Sequence, residues 1–148
     1  MHASPSRRRL AVALTAAVAA AALLSFATIA HGETCVDVEV QNLRPGQGPL
    51  MVAAYLDAAS FRKTSASEKQ VQVITETQQV QLCGLNGESV AIALYQDLNG
   101  NGRLDTNLLG IPSEPWGSSG KFSALSAPTW ETARVPLGTD KIVIKLPK

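Results

Sequence analysis

The residues best suited to chemistry lie in one stretch, Asp97-Leu98-Asn99-Gly100-Asn101-Gly102-Arg103-Leu104-Asp105-Thr106-Asn107. Asp97, Asn99, Asn101 and Asp105 match positions 1, 3, 5 and 9 of a calcium loop, and Gly102 matches the glycine at position 6. Arg103 falls at position 7, where a backbone carbonyl suffices. Alternate oxygens converge when a chain curls around an ion, and a glycine permits the sharp turn that this requires. Leu104 supplies an apolar residue to pin such a loop to a core. Position 12, normally a bidentate glutamate, is Leu108, so Glu114 or Asn107 must fold back to complete the shell. Calcium at an extracellular-grade affinity of about 10⁻⁴ to 10⁻³ M is the expectation for that set.

The same residues admit a reading without metal, as two Asn-Gly turns whose side chains bond their own backbone. That accounts for the Asn and Gly residues better than for Asp97 and Asp105, which repel one another unless a cation or backbone donors stand between them. A third reading takes Asp97, Asp105 and Glu114 as the carboxylates of a hydrolase, with or without a divalent ion. A domain this small offers little cleft for such a reaction, so a non-enzymatic module is the leading expectation. Trp116 lies in a Pro/Gly-rich segment and is the expected ligand rim, whereas Trp130 alternates within an apolar run and is expected in the core.

The elements that position these residues follow an export signal. Arg7, Arg8 and Arg9 head an uncharged run from Leu10 to Ala30, closed by small residues, so residues 1–32 read as a removed signal peptide and 33–148 as one domain in the periplasm or outside the cell. Both histidines, His2 and His31, fall in or beside that signal. The remaining domain therefore lacks Ser–His–Asp and Cys–His catalysis and histidine-ligated metals, and any metal is held by oxygen. Within residues 33–148, ten Lys/Arg and twelve Asp/Glu without a basic cluster argue against nucleic acid, and no stable membrane insertion is expected once the signal is gone. Cys35 and Cys83, an isolated pair without Cys-X-X-Cys spacing, are expected to form a disulfide.

Strand signals dominate. Val36, Val38 and Val40 alternate with polar residues; Leu50–Leu56 and Val90–Tyr95 are apolar on both faces, as central strands are. Further strands are expected around Val71–Val73, Val80–Leu82, Thr129–Val135 and Lys141–Leu146, the last with Ile142, Ile144 and Leu146 facing in. Phe61 is expected to anchor the polar loop from Asp57 to Lys69. About seven short strands with little helix predict an all-β antiparallel sandwich. The connection from Asp97 to Pro128 is long for a compact domain, which marks it as functional.

The apolar strand Val90–Leu94, the run Asp97–Asn107, the segment Gly110-Ile111-Pro112-Ser113-Glu114-Pro115-Trp116-Gly117 and the later Pro128-Thr129-Trp130 together resemble the family of small exported bacterial proteins called domain of unknown function 2141. The resemblance implies export and an immunoglobulin- or transthyretin-like sandwich, and it implies no reaction. Gln96 stands where that family commonly has His, and Ser118-Ser119-Gly120 replaces a Phe-Ser-Asn-type run. The expectation is an exported β-sandwich that binds an envelope protein or a saccharide. A structural module with no ligand is the remaining alternative.

Overall fold

A computed structural model describes residues 34–148, apart from 122, 124 and 125. The expected signal peptide, residues 1–32, lies outside the described residues. The described chain forms strands β1 (Thr34–Gln41), β2 (Pro49–Tyr55), β3 (Ser67–Gln72), β4 (Thr77–Leu85), β5 (Ser89–Gln96) and β6 (Trp116–Ser118). A helical turn α1 (Trp130–Ala133) then precedes β7 (Arg134–Pro136) and β8 (Ile142–Lys145).

Alternating valines give β1 one apolar face, and it sits between β4, antiparallel, and β8, parallel. The second sheet runs β3-β2-β5-β6, with β7 also pairing with β5. The two sheets pack face to face. Val36, Val38, Val40, Val80, Leu82, Ile142 and Ile144 of the first meet Leu50, Val52, Ala54, Val90, Ile92 and Leu94 of the second in one core cluster. Removing these side chains from water is the main stabilising term, of order 1.5–3 kcal/mol for each large one. The fold is thus the all-β sandwich that the sequence predicts, with one parallel pairing in it.

Cys35 and Cys83 form a disulfide between β1 and β4, with a Cα–Cα distance of 4.0 Å. Phe61 is buried, as expected of an anchor, and meets Tyr55 edge-on with ring centroids 5.3 Å apart. Two elements depart from expectation. The segment expected as a strand from Thr129 begins instead as the turn α1, because Thr129 and Thr132 cap it reciprocally: each side chain accepts the other's backbone N–H. The long connection is interrupted by β6, which adds Trp116–Ser118 to the free edge of β5. Gly117 faces the core there, and a Cβ on it would stand 2.8 Å from Cγ2 of Ile144.

Candidate functional site: the Asp97–Glu114 loop and the groove beside it

The loop leaves β5 at a heavily bonded corner. Gln96 is fully buried. Its Oε1 accepts the Arg44 N–H at 2.9 Å, and its Nε2 donates to the carbonyls of Arg44 at 2.7 Å and Gly48 at 3.3 Å. Asp97 N–H donates to the Pro49 carbonyl, which draws the two loops so close that a Cβ on Gly48 would sit 1.9 Å from the Asp97 oxygen. The β1–β2 connection therefore fixes where the Asp97 side chain starts.

That side chain is buried and satisfied by backbone. Its Oδ1 accepts from Gly100 N at 2.8 Å and Asn101 N at 3.2 Å, and its Oδ2 from Gly102 N at 2.7 Å. Asn99 and Asn101 repeat the device, their Oδ1 atoms accepting the N–H groups of Asn101 and Arg103. Their amide groups then donate to the Asp105 carboxylate. Asn101 first and Asn99 second hold that carboxyl below its ordinary pKa. Glu114 does fold back: buried, it accepts Leu98 N at 2.8 Å on one oxygen and Asp105 N at 3.0 Å on the other, joining the two ends of the loop. Asn107 instead shapes the tip, where its Oδ1 accepts the N–H groups of Leu109 and Ile111.

The structure thus brings Asn99, Asn101 and Asp105 together directly, and it ties Asp97 and Glu114 to the same loop through backbone amides. Among the described residues no three acidic, histidine or cysteine side chains form a group able to hold a metal by themselves. A cation here would need the asparagine and carbonyl oxygens as well. The repulsion between Asp97 and Asp105 that the sequence poses is met by donors, N–H groups for one and amide groups for the other.

Trp116 marks the end of a larger feature. Because Gly117 faces the core, alternation turns Trp116 and Ser118 to the outer face of the second sheet. On that face the register sets Gln70, Met51, Tyr95 and Trp116 side by side across four strands. The next row is Glu68, Ala53, Ala93 and Ser118. Beyond it stands Tyr55, backed by Phe61 and Trp130. The small residues Ala53, Ala93 and Ser118, with Glu68 at their β3 end, lie between the row of large side chains and Tyr55, and this makes a trough. The cavity over it measures about 760 Å³ and is bordered also by Arg62 and by Leu104, Thr106, Ile111 and Pro112 of the loop.

Burial raises the pKa of Tyr55 and Tyr95, and for Tyr95 the Asp97 and Glu114 charges add to the rise. Both hydroxyls therefore remain protonated donors at neutral pH. The Ser118 hydroxyl is buried and has no partner among the described residues.

Sequence reasoning found the loop and Trp116 but missed Met51, Tyr55, Arg62, Glu68, Gln70 and Tyr95. The signal was present in β2 and β5, which are apolar on both faces. In a two-layer sandwich only one face meets the core, so apolar residues on the other face need a second explanation.

Neither the comparison with curated proteins nor that with solved structures returned a match. The sequence profile described as an uncharacterized protein conserved in bacteria covers residues 38–145, from within β1 to the last residue of β8. With that span including both sheets, the loop and the groove, the chain belongs to the bacterial family DUF2141.

Proposed function

We propose that the protein is an exported, non-enzymatic binding module that holds a saccharide in the trough on the outer face of its second sheet. The observation carrying this reading is the trough itself: aromatic and apolar side chains from β2, β5 and β6 beside a floor of Ala53, Ala93 and Ser118, with polar residues of β3 at one end, enclosing about 760 Å³. That size and lining suit an organic ligand. Trp116 and Tyr95 offer a flat surface with polar edges, matched to the C–H face and hydroxyl rim of a pyranose ring. The disulfide fits an oxidising compartment outside the cytoplasm. The carboxylates weighed for hydrolysis are engaged as acceptors within the loop, which favours binding over catalysis.

The test is an amide and indole NMR titration with a panel of soluble oligosaccharides. The expected result is perturbation confined to β2, β5, β6 and the Trp116 indole, lost in Trp116→Ala with the thermal midpoint unchanged. Perturbation at the other sheet, or none anywhere, rejects the reading.

A second role attaches to the loop. The successive oxygens of Asp97, Asn99 and Asn101 each cap the backbone a few residues ahead, in the order that a calcium loop uses. We propose weak calcium binding by Asp97, Asn99, Asn101, the Arg103 carbonyl and Asp105, with Glu114 bracing the loop. A melt in about 5 mM calcium compared with EDTA checks it. At 5 to 50 times a dissociation constant of about 10⁻⁴ to 10⁻³ M, linkage gives roughly 1.1 to 2.3 kcal/mol, abolished by Asp97→Ala. Coincident melts would leave the loop to its own hydrogen bonds.

A further inference from the structure

The trough ends differently on its two sides, and the difference restricts the sugar. This step rests on the saccharide reading above. At the Trp116 end the lining is aromatic and apolar, with Tyr95, Trp116, Leu104 and Ile111. At the far end Arg62 and Glu68 both border the cavity, as Tyr55 does. They form no salt bridge with each other, and Arg62 makes no salt bridge with any other described residue. Glu68 accepts one hydrogen bond, from Ser65 at 3.0 Å, on one of its two oxygens. Lys69 also borders the cavity, but its register partner is the core residue Val52, so alternation turns it to the opposite face from Glu68 and Gln70.

A fork of donors and a carboxylate acceptor therefore flank one end of an aromatic trough, with their charges opposed. A ligand of a single charge gains at one and loses at the other. Vicinal hydroxyls suit both, because each hydroxyl donates and accepts. We infer that the trough selects neutral pyranose units, stacking one on Trp116 and Tyr95 and reading the adjacent diol of the next with Arg62 and Glu68. Arg62 and Glu68 are then the residues that set specificity, and neither has to support the fold, since both are exposed.

The experiment is calorimetric titration of the protein with three probes: a neutral β-glucan hexaose, a hexagalacturonate and lauric acid, each repeated with Glu68→Gln and Arg62→Asn. Asparagine is chosen because Arg62 has φ 59°, a left-handed conformation that asparagine tolerates. The expected result is binding of the neutral hexaose alone, weakened tenfold or more by each substitution with the thermal midpoint unchanged. Tighter binding of the uronate or the fatty acid overturns the neutral-sugar assignment; the fatty-acid outcome also rejects the saccharide reading while keeping the groove as a binding site. Equal affinities of the variants for the neutral hexaose remove Arg62 and Glu68 from recognition. Failure of all three probes overturns this inference, and the separate oligosaccharide panel then decides the saccharide reading.

Discussion

Single side chains at the start of the loop do more structural than chemical work. Gln96 closes three hydrogen bonds while fully buried, so Gln96→Ala strands two carbonyls and an amide and opens a cavity. A loss of about 3 kcal/mol is expected, combining unmet polar groups with lost packing, and a denaturant melt of the variant would measure it. A loss under about 1 kcal/mol would show that water replaces the amide. Asp105 makes a pH-dependent contribution. Its folded pKa is depressed by Asn101 and Asn99, so its stabilisation is fully present above the unfolded carboxyl value of about 4 and disappears as the pH falls through the lower folded value. Asp57, bonded by the Ser60 N–H, and Glu39, bonded by Lys141, act in the same direction. Thermal midpoints measured from pH 7 down to pH 2.5 should fall below about pH 4, with a shallower fall in Asp105→Asn. Identical acid limbs in the two proteins would contradict the role given to Asp105.

Among the elements, what could be read in advance depended on how local its cause was. The strands around the core were legible because alternation is a property of neighbouring residues, and Ile142, Ile144 and Leu146 are buried as read. The loop was legible because its residues bond within a few positions of one another. Glu114 was identified only as a candidate to fold back, since nothing local says that its two oxygens will take the N–H groups of Leu98 and Asp105. The trough was illegible because it exists only once the register sets Met51 beside Tyr95 and Tyr95 beside Trp116. The strand from Thr129 was misread for a local reason that was visible: a Thr-x-x-Thr pair caps a turn there, although Trp130 packs against Phe61 in a small core cluster. The disulfide gives a prediction for β1 and β4. With a sequence separation of 48, reduction frees the unfolded chain and should lower stability by about 4 kcal/mol. A melt with and without reductant measures this. An unchanged midpoint would mean that the β1–β4 pairing holds the two strands unaided.

For the domain as a whole, the loop and the trough are two sides of one structure, because Gly102, Leu104 and Thr106 of the loop border the cavity. The proposed cation and the proposed sugar should therefore be coupled. If calcium narrows the excursions of the loop, a sugar meeting an ordered wall has less ordering to do and binds more tightly. By linkage the sugar must raise calcium affinity by the same factor, and couplings of 1–3 kcal/mol, about 5-fold to 150-fold, are usual. Titrating the neutral hexaose in EDTA and in calcium gives one side of the cycle. Titrating calcium with and without hexaose gives the other, and the two ratios must agree. Equal sugar affinities in both buffers, with calcium still raising the thermal midpoint, would mean that the hydrogen bonds of Asp97 and Glu114 already set the wall of the trough. In that case calcium would act on stability alone, and the trough would bind as a rigid site.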